Sequence, residues 1–195
     1  MREKILGITF WTAWVIAVIF FLSSPAWAWG PGAHVECSQY LLGNLALLAP
    51  AVRALLKRHP HAFTYGALCP DMVLGKRYLK TEHNNHHWHI GFELLHRADG
   101  PRQEAFALGY LSHLAADTVA HNLYIPDQLL DRYNHRRRGH VMFELIFDVM
   151  LPDEVWKVAR GLSRRRFGEC ERLMLGVIPR TPVPGKVNQR LFRSR

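Results

Sequence analysis

The stretch from Arg102 to Tyr124 constrains this chain more than any other. It is long, mostly apolar and free of proline, yet it carries His113, Asp117 and His121. The apolar spacing predicts a helix, and the extent of its apolar surface predicts a central one. Four residues advance a helix by about 400°, or about 40° net, so the three polar side chains project from one stripe. Burying two imidazoles and a carboxylate among apolar neighbours is costly unless something compensates them. A bound metal would do so. A histidine–aspartate pair hydrogen-bonded in the core is the simpler alternative.

Helical spacing recurs elsewhere. His34 to Leu48 follows it until Pro50 interrupts, Ala51 to Lys57 continues it briefly, and His59-Pro60 ends it. Residues 61–85 read as the longest irregular stretch, with Gly66, Cys69-Pro70-Asp71 and Gly75. Further helices are expected from His86 to His96, from His140 to Leu151 before Pro152, and from Glu154 to Arg166, the last amphipathic. Thr181 to Gly185 reads as loop, and neither an alternating β pattern nor an internal repeat is found. The expected fold is all-α: a single compact multi-helix domain whose ligands converge on one metal cleft.

Other segments repeat the ligand chemistry. His140 and Glu144 are again one helical turn apart, among Val141, Met142, Phe143, Leu145 and Ile146. Such a pair is often a surface contact, but these neighbours favour burial. His83, His86, His87 and His89 crowd one short segment, a sign of metal affinity that does not select which of them binds. Asp71 lies where a loop would bring a carboxylate to the same place. The chain has no H-E-x-x-H motif and no His-Asp dipeptide, and Glu93-x2-His96 lacks the second such pair that a di-iron bundle requires. Nitrogen and carboxylate donors suit zinc, with manganese or iron as alternatives.

The first residues read as a secretory signal: Arg2 and Lys4, an apolar run from Ile5 to Leu22, and the small-x-small site Ala26-Trp27-Ala28. An uncleaved anchor is the alternative. Cleavage after Ala28 leaves 167 of the 195 residues and lowers the formal charge of +9 by one. It also frees the α-amine of Trp29, which together with its own carbonyl oxygen can chelate a metal, with His34 nearby to add an imidazole. The expected division is a signal peptide at 1–28, a helical domain at 29–151, and a basic C-terminal helix and tail at 152–195. The basic balance, concentrated in Arg136–Arg138, Arg164–Arg166 and Arg190, Arg193 and Arg195, favours anionic partners such as a phospholipid surface or nucleic acid. A merely solvated basic surface is the plainer reading. Cys37, Cys69 and Cys170 are too few for a disulfide scaffold; one pair could bridge, and which pair is open.

The order of these elements resembles the zinc-dependent phospholipase C family, related to the fungal single-strand-specific zinc nucleases. The residues that carry the resemblance are Trp29 as a mature N-terminus, His34, Asp71, a histidine just before Trp88-His-Ile-Gly-Phe92, His113-x3-Asp117 and His140-x3-Glu144, over roughly residues 29–151. The resemblance implies an all-α enzyme with three zinc ions. One would take Asp71, His86, His113 and Asp117, a second His121, His140 and Glu144, and a third the Trp29 amine and carbonyl, His34 and a bridging Asp117. Three residues separate Asp117 from His121 where the family usually has five. Trp29-x4-His34 has the nuclease spacing and His140-x3-Glu144 the phospholipase spacing.

The implied activity is phosphodiester hydrolysis by a zinc-bound hydroxide, with Asp71 as general base as well as ligand. On phospholipid it would yield diacylglycerol and a phosphorylated headgroup. A single-strand nuclease and a non-catalytic secreted zinc-binding protein are the alternatives. Localisation is expected to be secreted or periplasmic, or membrane-anchored if the leader is retained. Phe63, Tyr65, Trp88, Phe92 and Tyr124 could wall the cleft, although each taken singly reads as core.

Overall fold

A computed structural model describes residues 30–72, 85–124, 126–127 and 146–178. Its long elements are all helices: α1 (Pro31–Gly43), α2 (Pro50–Arg58), α3 (Pro60–Leu68), α4 (Trp88–His96), α5 (Pro101–Val119), α6 (Asp153–Arg164) and α7 (Gly168–Val177). Short 3-10 turns follow α1 at Leu45–Leu47 and α3 at Cys69–Met72, and α5 runs directly into a π-helical turn at Ala120–Tyr124. The chain is all-α, and no strand occurs among the described residues.

Proline sets much of this punctuation. Pro31, Pro50, Pro60 and Pro101 each open a helix, because a first-turn residue needs no amide hydrogen and its φ is already helical. The expectation that residues 61–85 are irregular is therefore corrected over 61–72. Pro60 ends α2 and also begins α3, with Gly66 inside it and Asp71 on the following 3-10 turn. The helix α7 was also not anticipated, since its apolar stripe is short and sits in a basic segment. The expected helices around 34–48, 86–96, 102–124 and 154–166 are found, with ends shifted by a few residues.

At the centre α5 packs on α3 and α4, while α1 packs on α3 and α6. The closest approach is between α3 and α5. A Cβ at Gly66 would lie 2.0 Å from the Phe106 carbonyl oxygen, and one at Gly109 would lie 1.9 Å from that of Phe63. No side chain fits at either point, so two glycines let the backbones touch. Around this crossing Leu56, Phe63, Tyr65, Leu68, Leu94, Phe106 and Tyr110 are buried. Tyr65 stacks on Phe167 at 4.1 Å between ring centroids, which ties α7 to the same core. Cys37, Cys69 and Cys170 are not joined to one another by a disulfide. No described helix is long and apolar enough to cross a membrane, and the 5–22 run lies outside the described residues.

Candidate metal centre

The glycine crossing positions the first ligand. Because α3 and α5 touch, the Ala67 carbonyl comes within 2.8 Å of His113 Nδ1 and accepts its proton, which leaves Nε2 directed into the interior. One turn later on α5, Asp117 Oδ2 lies 3.3 Å from that Nε2. From α1, His34 stacks on His113 with ring centroids 3.6 Å apart and puts its Nε2 3.3 Å from Asp117 Oδ1. His86 Nε2 approaches from before α4, at 3.2 Å from His113 Nε2, 3.3 Å from Asp71 Oδ1 and 3.7 Å from Asp117 Oδ2.

Two overlapping sets result, His34–Asp71–His113 and His86–His113–Asp117, each offering donor atoms within 4.8 Å of one another. All five residues are buried except His86, which is half-buried. The structure brings His34, Asp71, His86, His113 and Asp117 together, with His34 grouped beside Asp71 and His113, where the resemblance assigns it to a separate site with Trp29 and Asp117. His121 is half-buried on the π-helical turn and enters neither set. Trp29, His83, His140 and Glu144 lie outside the described residues. Within the histidine-rich segment, His87 and His89 stay out of both sets.

Electrostatics show a cluster short of positive charge. Burial pushes the His34 imidazole below its ordinary value, and a charged His113 beside it adds to the fall, with Asp117 and Asp71 offsetting only part. For His113 burial acts the same way, but Asp71, Asp117 and the Ala67 carbonyl outweigh it and the value rises. Burial also works against the Asp117 carboxylate, yet its contacts with His113 and His34 hold it well below the carboxylate range. Of two stacked imidazoles, then, burial and neighbouring charge push one down and the other up. Neither nitrogen of His34, nor Asp117 Oδ1, has a hydrogen-bond partner of good geometry among the described residues. The 3.3 Å contact between them is electrostatic. Orphaned buried nitrogens facing carboxylate oxygens are what a divalent cation would satisfy, and the donor set fits zinc.

Two supporting residues were not anticipated. Asn85 is fully buried; its side-chain amide donates to the Pro70 carbonyl, and its own carbonyl accepts from the Tyr110 hydroxyl. This bolts the residue before His86 to the one before Asp71. A polar pair within a histidine-rich run, Asn84-Asn85, was the available signal. The other is Asp148, buried at the start of α1. It follows His140 and Glu144 at the same four-residue interval, a continuation that could have been read. The aromatic residues divide. Phe63 and Tyr65 are core, but Trp88 and Phe92 are exposed and stacked together at 6.0 Å, which corrects the plain reading of that pair. Tyr124 is half-buried against Phe147.

An all-α domain with a buried histidine–aspartate cluster between its central helices defines a class of metal-binding helical proteins. The family model for zinc-dependent phospholipase C matches residues 33–172, most of the chain, and the chain belongs to that family. No curated protein and no solved structure matches it.

Proposed function

We propose that this protein is an exported zinc-dependent phospholipase C that cleaves phospholipid to diacylglycerol and a phosphorylated headgroup. The observation that carries the reading is the convergence of His34, Asp71, His86, His113 and Asp117 in one interior site of a chain belonging to that family. Together with the Trp29 amine and carbonyl, His121, His140 and Glu144, these residues make up a ligand set for three ions. Bound there, zinc supplies positive charge to phosphate oxygens and lowers the pKa of a water towards neutrality.

The chain's own groups do the rest. Asp117 faces His34 with one oxygen and His86 and His113 with the other, so it bridges two positions. The Ala67 carbonyl holds His113 in the tautomer whose Nε2 is free to ligate. Asp71, buried beside His86, accepts the proton of the attacking water. Trp88 and Phe92, exposed on the helix that begins two residues after His86, offer an apolar face to the lipid. Removal of residues 1–28 in export exposes the Trp29 amine, so processing completes the site; N-terminal sequencing of exported protein that begins elsewhere than Trp29 ends this part of the reading.

Zinc-loaded mature protein assayed side by side on short-chain phosphatidylcholine and single-stranded DNA tests the function. Release of phosphocholine and diacylglycerol is expected. Cleavage of DNA alone assigns the nuclease reading, and loss of neither substrate with zinc bound assigns a non-catalytic zinc protein.

A further inference from the structure

The carboxylate of Asp148 lies far from the phosphate chemistry in sequence but against the start of α1 in space. It is 6 % exposed and accepts two backbone hydrogen bonds, from Ala33 N at 2.9 Å and Gly32 N at 3.3 Å. Both are first-turn amides; that of Ala33 is shared with the Gly30 carbonyl at 3.1 Å, so Asp148 adds to a tight turn as well as capping the Gly32 amide. Gly30, at the cap position, supplies no side-chain bond of its own. The fit is close: a Cβ on Gly30 would lie 1.9 Å from Asp148 Oδ2, and one on Gly32 3.1 Å from Oδ1. The next residue along α1 is His34, whose ring reaches His113 and Asp117.

We propose that Asp148 is a positioning residue of the metal centre, clamping residues 30–33 so that His34 is presented to His113 and Asp117. This rests on the zinc reading above. An ordinary cap would come from the residue preceding the helix. Here a glycine stands there, and the cap arrives from a residue 115 positions away, which couples the α1 backbone to the helical turn at 146–149. Carboxylates that orient a ligand from behind commonly govern metal affinity about 10- to 100-fold.

The test compares wild type, Asp148→Ala, Asp148→Asn, Gly30→Ala and the double variant Gly30→Ala/Asp148→Ala, with Leu151→Ala as a packing control beside Gly32. Zinc stoichiometry and competition affinity are measured, together with the visible spectrum of the cobalt-substituted protein. Asp148→Ala is expected to weaken the weakest-held ion about 10-fold or more and to alter the cobalt bands as His34→Ala does. Asp148→Asn, which keeps the shape and one acceptor, should fall between. Gly30→Ala should reproduce Asp148→Ala, and adding it to that variant should change little more, since the atoms it collides with are gone. Leu151→Ala should lower Tm without moving the spectrum. Asp148 variants that lower Tm but keep wild-type zinc affinity and cobalt bands would reduce Asp148 to a helix cap and overturn the proposal. Should Asp148→Ala not fold, Asp148→Asn and Gly30→Ala carry the same comparison. Wild-type protein that binds no zinc sinks the metal reading itself, a result separable from the others.

Discussion

The two halves of α5 make opposite use of burial. From Ala105 to Tyr110 the helix presents Ala105, Phe106, Ala107, Gly109 and Tyr110, all inaccessible to solvent and packed on α3 with the backbones in contact. From His113 to Asp117 it buries an imidazole and a carboxylate whose neighbours are other imidazoles and carboxylates. The first half gains from leaving water. The second loses by it and is held in place by the first, because the α3–α5 crossing that seats Phe106 also brings the Ala67 carbonyl to His113. Stability is thus concentrated at one end of a single helix and chemistry at the other.

Metal removal should break this balance most. Chelation is expected to abolish hydrolysis and to lower stability by about 4 kcal/mol at zinc concentrations a thousandfold above Kd, read as a drop in Tm; an unchanged Tm in chelator would mean that the polar half is self-sufficient. Asp117→Asn should release more than one zinc per chain by elemental analysis, since the bridging charge is lost while the shape is kept. In the apolar half, Phe106→Ala is expected to cost about 3–5 kcal/mol in urea unfolding while zinc content stays at the wild-type value. Loss of zinc in that variant would show the halves to be less separable than described.

Gly109→Ala sharpens the boundary. Its new methyl meets backbone rather than a yielding side chain, so overpacking should cost about 1–3 kcal/mol. The shift it forces should loosen the Ala67–His113 bond, so zinc affinity should fall along with stability. Retained affinity would place the tolerance of the site higher than the contact distances imply.

The smallest effect is electrostatic and belongs to the metal-free protein. His34 has a folded pKa below the ordinary 6.5, so the unfolded chain binds the proton first and stability falls as pH drops through 6.5. Asp117, depressed below 3.8, adds stability that is full above that value and is lost as pH falls through its lower folded one. His113, raised, acts oppositely: its contribution is present below 6.5 and is lost as pH rises through the folded value. Urea unfolding of the apo-protein between pH 8 and 5 should therefore show a shallow maximum, and His34→Ala should remove the decline on its acid side. An unaltered decline would assign it to another group.

Much of the site was legible because helical spacing is local. The interval from His113 to Asp117 puts both on one face whatever surrounds them, and the family's order of ligands could be followed through His34, Asp71 and His86. Legibility failed where a residue's meaning depends on a remote partner. Pro60 reads as a stop from one side and as a start from the other. Asn85 matters because Pro70 and Tyr110 lie across from it, and Asp148 because α1 begins against it.

By itself the sequence determined the helical class, the central helix and the identity of the polar groups that helix must bury, since periodicity and hydrophobicity act within a few residues of chain. Only the tertiary structure decided that His86, of the described histidines in the crowded segment, joins the cluster, and that Gly66 and Gly109 are the contact on which the site is hung. Those outcomes depend on where separate helices meet, and close packing between elements distant in the chain is not encoded in any local pattern.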